Sequence, residues 1–117
     1  MYVYGEKMQY NIPEIDPNTA KIWLDAQEAI LVDVRELSEY QDARIANTTL
    51  IPLGTITADK LPILKEGQKI VVNCARGARS AKAIQLIKLE DPALPLYNLT
   101  GGICEWIQLG LPVIRGK

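Results

Sequence analysis

The residues best suited to covalent chemistry in this sequence are its two cysteines, Cys74 and Cys104. They are too few for a disulfide scaffold, and the chain has no Cys-x-x-Cys motif. It also contains no histidine, which excludes the usual Cys/His zinc sites and every pair in which histidine activates a cysteine or serine. A cysteine nucleophile here must be activated by other surroundings, and we predict neither a metal nor another cofactor.

Cys74 heads a segment whose composition suits a tight loop between a strand and a helix. The segment reads Asn73-Cys74-Ala75-Arg76-Gly77-Ala78-Arg79-Ser80. Its small residues let the backbone curl, with Gly77 free to adopt a positive φ. Curled N–H groups and a helix N-terminus form an anion-binding nest, to which Arg76 and Arg79 add charge. We therefore predict that Cys74 is a thiolate near neutral pH and that residues 75–80 bind a small anion.

A simpler interpretation of Cys74 competes with this one. A free cysteine at the end of a buried strand is often only a small hydrophobic side chain. Two arginines and a glycine within five residues of Cys74 favour a functional role. A nucleophilic sulfur inside an anion cradle is suited to attack a sulfur-bearing anion, which would leave a persulfide held by the same N–H groups.

Three further side chains stand near this predicted site. Cys104 falls in the first turn of a predicted helix, where a role as a second, resolving thiol is open, although the loop is expected to work without it. Asp33 and Arg35 lie at the end of a core strand. A carboxylate at that place could be catalytic, but a structural salt bridge that supports the neighbouring backbone is the favoured interpretation.

The elements that position these residues follow an alternation of apolar runs and amphipathic stretches, which is typical of an α/β domain with a mainly parallel sheet. Strands are predicted over residues 30–34, 49–53, 69–73 and 96–99, with an edge strand near residues 10–12. The run Ile70-Val71-Val72 predicts a strand covered on both faces. Helices are predicted after an Asp16 N-cap, from about Arg79 or Ser80 to Leu89, and from Gly101-Gly102 to Gly110, with a helical turn over residues 38–42.

Composition limits the classes of function. The 117 residues suit one domain, predicted over residues 1–117 with an aromatic arm over residues 1–10. The 13 basic and 14 acidic residues are balanced, which argues against nucleic-acid binding. No apolar run is long enough to span a membrane, and residues 1–10 lack the apolar core of a signal peptide. We therefore expect a cytoplasmic protein with reduced thiols.

Several motifs, taken in order along the chain, resemble those of single-domain rhodaneses. The loop matches the pattern Cys-x-x-Gly-x-Arg-Ser through Cys74, Gly77, Arg79 and Ser80. The other matching segments are Asp33-Val34-Arg35-Glu36 with Glu39-Tyr40, Ile51-Pro52-Leu53, Gly101-Gly102-Ile103 with Trp106, and Gly110-Leu111-Pro112-Val113. The resemblance as a whole spans roughly residues 12–113, nearly the whole chain.

This resemblance implies a rhodanese-like α/β fold, with a five-stranded, mostly parallel sheet flanked by helices on both faces. It also implies a sulfurtransferase that carries a persulfide on Cys74, with thiosulfate or a persulfide as donor and cyanide or a thiol as acceptor. The chain departs from the family pattern at Arg44, Asn47 and Glu105. Asn47 stands where the family has glycine, and asparagine tolerates the left-handed conformation, whereas the sequence gives no reason for Arg44.

Two alternatives to a small-molecule sulfurtransferase stay open. The same loop chemistry would serve a relay that hands persulfide to a protein thiol in cofactor or tRNA thiolation. Phosphatases and arsenate reductases resemble Cys-x-x-x-x-x-Arg, with five residues between cysteine and arginine. Only four residues separate Cys74 from Arg79, and the shorter loop encloses a smaller pocket that suits one sulfur atom better than a tetrahedral oxyanion.

Overall fold

The sheet of this chain carries Cys74 at the end of its central strand. The computed structural model describes residues 12–117. Its elements are β1 (Glu14–Ile15), α1 (Pro17–Asp25), β2 (Ala29–Asp33), α2 (Leu37–Asp42), β3 (Ala43–Arg44), β4 (Thr48–Leu50), β5 (Lys69–Asn73), α3 (Ala78–Glu90), β6 (Leu96–Leu99), α4 (Gly102–Gln108) and β7 (Ile114–Arg115). Five strands form one sheet in the order β1-β6-β5-β2-β4, and every pairing in it is parallel. The predicted α/β fold is confirmed.

The sheet separates two hydrophobic cores, which explains the continuous apolar run of β5. Ile70 and Val72 face a core that includes Ile84 of α3. Val71 faces the opposite core, which includes Ala20 of α1 and Trp106 of α4. Helices therefore cover both faces of the sheet, as predicted. Because each fully buried Val or Ile side chain contributes about 1.5–3 kcal/mol, these cores hold the central strand firmly.

The helix ends follow from local sequence signals. Asp16 caps α1, since its carboxylate accepts hydrogen bonds from the Thr19 amide (3.1 Å) and the Thr19 hydroxyl (2.7 Å). These hydrogen bonds lower the pKa of the Asp16 carboxyl. After α4, Gly110 adopts φ +79°, the left-handed conformation that ends many helices. The predicted start of α1 and the predicted end of α4 are therefore confirmed.

Several boundaries differ from the sequence predictions. β2 covers Ala29–Asp33 and not residues 30–34, and α2 begins at Leu37, one residue before the predicted turn. The edge strand within the described residues is β1 at Glu14–Ile15. Of the strand predicted near residues 10–12, only residue 12 is described and it lies outside any strand, and the predicted N-terminal arm over residues 1–10 lies outside the described residues. The strand predicted over residues 49–53 is shorter, because a 3₁₀ turn follows Pro52. Helix α3 begins at Ala78, one residue before Arg79. No helix within residues 12–117 is long and apolar enough to cross a membrane.

A small second sheet, absent from the sequence predictions, explains Arg44. β3 pairs with β7 in an antiparallel ladder. The Arg44 guanidinium donates to the carbonyl of Gly116 at 2.5 Å and to that of Tyr40 at 3.4 Å, and it lies 5.3 Å from the centre of the Tyr40 ring. Arg44 thus fastens the C-terminal strand to α2. Asn47 adopts φ +60°, which confirms the conformation predicted for it.

Candidate active site

Cys74 lies at the centre of the carboxyl edge of the sheet, between β5 and α3. Its side chain is only 1% exposed and packs in the core beneath α3. The loop folds back so that the Gly77 amide donates to Cys74 Sγ at 3.0 Å. Gly77 adopts φ +108°, a conformation that suits glycine and that the sequence predicted. The curl of the loop is what turns its N–H groups toward the sulfur.

Opposing effects set the pKa of the Cys74 thiol. Burial raises the pKa, whereas hydrogen bonds from the Ser80 hydroxyl and from the amides of Ser80, Gly77 and Arg76 lower it, and the net pKa falls below its ordinary value of 9.0. The Ser80 Oγ atom lies 3.2 Å from Sγ. The sulfur therefore lies among hydrogen-bond donors that favour its charged form, in a chain without histidine.

The N-terminus of α4 supports the loop from behind. The amides of Ile103 and Cys104 donate to the carbonyls of Cys74 (2.9 Å) and Ala75 (3.0 Å). Gly102 permits this approach, because a Cβ atom there would lie 2.4 Å from the Ala75 oxygen and 2.5 Å from the Cys74 oxygen. The close contact between α4 and the loop therefore explains the glycine at position 102.

The two loop arginines have different surroundings. Arg79 forms a bidentate ion pair with Glu39 of α2, with N–O distances of 2.8 and 2.9 Å, and this lowers the pKa of Glu39 to about 2. The pair and the nearby charge of Cys74 also raise the pKa of Arg79. Arg76 is exposed and lines a shallow groove of about 550 Å³ together with Cys104. Arg79 thus braces two helices, while Arg76 faces solvent.

Asp33 and Arg35 form a buried ion pair at the end of β2. Arg35 Nη2 lies 2.8 Å from Asp33 Oδ2 and also donates to the Ala43 carbonyl at 2.7 Å. Arg35 Nη1 donates to the Glu39 carbonyl at 3.3 Å. These contacts hold the end of α2, and so position the carboxylate that binds Arg79. Within residues 12–117, no hydrogen bond joins this pair to Cys74.

Cys104 and Cys74 are both free, but their surroundings differ. Cys104 is exposed, whereas Cys74 is buried. The structure brings residues 75–80 together around Cys74, and it places the side chain of Cys104 on the groove beside Arg76. No group of three or more Cys, Asp and Glu side chains within the described part of the chain could hold a metal ion.

Three residues of this site were not predicted from the sequence. Glu39 was noted only as part of a motif, and its pairing with Arg79 was not predicted. Asn98 is buried in β6 and contacts Ser80, and Glu14 binds the Asn98 amide at 3.0 Å. A polar residue inside the apolar strand Leu96–Leu99 was the one signal that could have revealed Asn98.

Comparisons with known proteins agree with this geometry. The sequence model of the rhodanese-like domain family matches residues 16–109. A sulfurtransferase from Allochromatium vinosum is 31% identical over 104 residues, which cover 88% of this chain and 95% of that protein. A putative sulfur carrier protein from Bacillus subtilis is 32% identical over 97 residues, which cover 82% of this chain and 51% of that protein.

Structural comparison leads to the same group of proteins. A rhodanese-related protein from Thermoplasma volcanium superposes with a TM-score of 0.70 at 33% identity, covering 87% of this chain and 97% of the other. The chain spans about half the length of the first curated relatives that it matches. The family match includes all of the loop around Cys74.

Proposed function

The chain belongs to the rhodanese-like domain family, and from that premise we propose that it is a sulfurtransferase with Cys74 as its nucleophile. Cys74 takes a sulfane sulfur from thiosulfate or a persulfide and passes it to a thiol or to cyanide. The observation that carries the proposal is the hydrogen bonding of Cys74 Sγ, which accepts from the Gly77 amide at 3.0 Å and lies 3.2 Å from the Ser80 hydroxyl oxygen, with a lowered pKa as the result. The relatives named as a sulfurtransferase and as a putative sulfur carrier support sulfur transfer in general.

The proposed reaction has two displacements at sulfur. The Cys74 thiolate attacks the outer sulfur of thiosulfate, a new S–S bond forms, and the bond to the sulfonate breaks with its electron pair leaving on sulfite. A nucleophilic acceptor then attacks the outer sulfur of the Cys74 persulfide, and the electron pair of the broken S–S bond returns to Cys74. The loop amides stabilise the charge on sulfur before and after transfer.

The arginines take different parts in this proposal. Arg76 is exposed beside the loop and attracts the anionic donor. Arg79 contributes a positive charge near Cys74, but both terminal nitrogens of its guanidinium donate to the Glu39 carboxylate. Asp33, Arg35 and Cys104 have no direct part in the chemistry. Asp33 and Arg35 act only as structural support.

A relay to a protein thiol is the second candidate. The name of the Bacillus subtilis relative, a putative sulfur carrier, favours this possibility. Transfer from loaded Cys74 to glutathione and to a small reduced protein thiol should be timed separately. Faster transfer to the protein thiol favours the relay, and faster transfer to glutathione favours small-molecule turnover. A phosphatase is disfavoured, because the Arg79 guanidinium is paired with Glu39 and is not free to bind a phosphate.

The direct test of the enzyme proposal is thiocyanate formation from thiosulfate and cyanide. Cys74→Ser should abolish turnover, because a serine hydroxyl is not ionised near neutral pH. The matched variant Cys104→Ser removes the other thiol and should keep most of the activity. Turnover by Cys74→Ser would refute the assignment, and a tenfold loss in Cys104→Ser, about 1.4 kcal/mol of transition-state stabilisation, would make Cys104 catalytic.

A further inference from the structure

A chain of side-chain hydrogen bonds leads from Cys74 to the edge of the sheet. The Ser80 Oγ atom lies 3.2 Å from Cys74 Sγ and also hydrogen-bonds the Asn98 Oδ1 atom. Asn98 Nδ2 lies 3.0 Å from Glu14 Oε2 and 3.1 Å from the Gly77 carbonyl oxygen. Ser80 and Asn98 are buried, whereas Glu14 is exposed. These hydrogen bonds therefore connect the Cys74 sulfur with β1, through Ser80 of α3 and Asn98 of β6.

The partners of Asn98 determine which way its carboxamide points. The Glu14 carboxylate and the Gly77 carbonyl can only accept, so each receives one of the two hydrogens on Asn98 Nδ2. The Asn98 oxygen consequently faces Ser80. The Thr100 hydroxyl donates to the other oxygen of Glu14 at 2.9 Å, which holds the carboxylate in place.

The Ser80 hydroxyl has one hydrogen and two neighbours that can accept it. While Cys74 is a thiol, its S–H can donate to Ser80 and the Ser80 hydroxyl can donate to Asn98, so both hydrogens are used. Once Cys74 is ionised, its sulfur can only accept. The sulfur and the Asn98 oxygen then need the same hydrogen, and turning it toward the sulfur leaves a buried carboxamide oxygen without a donor.

From this geometry, and resting on the function proposed above, we propose that Asn98 is a positioning residue that competes with the Cys74 sulfur for the Ser80 hydroxyl hydrogen. The competition favours the uncharged states of Cys74 Sγ, which are the thiol and the sulfur-loaded form. When the thiolate forms its bond to the outer sulfur of the donor, the electron pair of the broken bond leaves with the donor. The Ser80 hydroxyl then rotates back to Asn98, and no proton is gained or lost by Ser80.

Charged groups from several elements face this region and must be held constant in any test. They are Glu14 on β1, Arg76 in the loop, Arg79 on α3 with its partner Glu39 on α2, and the Asp33–Arg35 pair at the end of β2. Replacing the neutral Asn98 changes none of these charges. Its effect on Cys74 therefore reports hydrogen bonding and not a changed local charge.

The test is the pH dependence of Cys74 alkylation by iodoacetamide, measured in a Cys104→Ser background so that one thiol reacts. Asn98→Ala should lower the apparent pKa of Cys74, with an acid dissociation constant about threefold higher or more, because the Ser80 hydrogen is free to bind the thiolate. A purely structural role predicts the opposite sign, since a loosened loop loses N–H donors. An unchanged or raised pKa would overturn the proposal.

A double-mutant cycle identifies Ser80 as the link. In a Ser80→Ala background, Asn98→Ala should no longer lower the pKa of Cys74, because there is no hydroxyl hydrogen to release. The same shift in both backgrounds would mean that Asn98 does not act through Ser80. Alkylation does not require sulfur transfer, so this result is independent of whether the protein turns over thiosulfate.

If Asn98→Ala does not fold, two variants of the exposed Glu14 test the positioning role of Asn98 instead. Glu14→Gln and Glu14→Ala remove the same charge, but only glutamine keeps an oxygen that accepts from Asn98. We expect Glu14→Ala to lower the pKa of Cys74 further than Glu14→Gln, because a carboxamide that is no longer held competes less well for the Ser80 hydrogen. Equal shifts would assign the effect to charge alone and reject the positioning role.

Discussion

At the scale of single residues, Cys74 is a buried thiol whose ionisation depends on hydrogen bonds. One pKa unit corresponds to about 1.36 kcal/mol, and a hydrogen bond to a charged group contributes about 1.5–3 kcal/mol. The hydrogen bonds to Cys74 Sγ, including those of Gly77 and Ser80, together outweigh the effect of burial, and the net pKa is lowered. These hydrogen bonds favour the charged form of Cys74 in a chain that has no histidine to act as a base.

Arg76 should act by attracting the anionic donor. Arg76→Ala is expected to raise KM for thiosulfate severalfold with a smaller effect on kcat, because its exposed charge acts before the chemical step. The matched control is Lys88→Ala, which removes the same charge about 15 Å further along α3. Since salt screens exposed charges beyond about 10 Å at 0.1 M, the Arg76→Ala effect should shrink at high ionic strength.

Steady-state kinetics of both variants at low and high salt check this prediction. If Arg76→Ala kept the wild-type KM at low salt, Arg76 would not recruit the donor. If Lys88→Ala raised KM equally, the effect would come from net charge and not from the position of Arg76.

At the scale of elements, the Glu39–Arg79 pair joins α2 to α3 and should make stability depend on pH. The pKa of Glu39 falls from 4.5 to about 2 in the folded protein. A lowered folded-state pKa adds stability that is present above pH 4.5 and is lost as the pH falls toward 2. We therefore expect wild-type Tm to exceed that of Glu39→Gln near neutral pH, with the difference disappearing between pH 4.5 and 2.

Thermal unfolding of three proteins across that pH range tests the assignment. Glu66→Gln is the matched control, because Glu66 is an exposed acid in the turn before β5. Its Tm difference from wild type should stay small throughout. A Glu39→Gln difference that persisted unchanged at pH 2 would show that the ion pair is not its source.

The contact between α4 and the loop should be intolerant of a side chain at Gly102. Gly110→Ala is the matched control, since Gly110 also has a positive φ of +79° but has nothing within 4 Å of the position that a Cβ atom would take. The control should lose about 1–2 kcal/mol for its left-handed backbone. Gly102→Ala should lose more, because its Cβ would push the carbonyls of Cys74 and Ala75 away.

Chemical denaturation and the rate of sulfur loading should be measured together on these two variants. We expect Gly102→Ala to load sulfur at least tenfold more slowly than Gly110→Ala. Equal rates would mean that the position of α4 does not determine the geometry of the loop.

At the scale of the whole molecule, the features that could be predicted from the sequence are those encoded by residues close together along the chain. The apolar run of β5, the Asp16 cap and the left-handed conformation of Gly77 are signals within a few residues. The Glu39–Arg79 contact joins residues 40 positions apart, and the Glu14–Asn98 contact joins residues 84 apart. Such pairings depend on how the elements pack, so they became visible only in the folded chain.

The second sheet was missed for a related reason. β3 and β7 have two residues each, which is too short for an alternating pattern to be recognised. The carbonyl of Gly116 that Arg44 binds lies 72 positions further along the chain. The departure from the family pattern at Arg44 therefore has a structural reason that no local signal could provide.

The central claim is that Cys74 carries a transferable sulfur, and intact-mass spectrometry tests it most directly. The protein is incubated with thiosulfate, freed of excess donor, weighed, and then treated with cyanide. We predict a gain of one sulfur atom in the wild type and in Cys104→Ser, removal of that atom by cyanide, and no gain in Cys74→Ser. A sulfur gain that persisted in Cys74→Ser, or no gain in the wild type with either thiosulfate or a persulfide donor, would contradict the account.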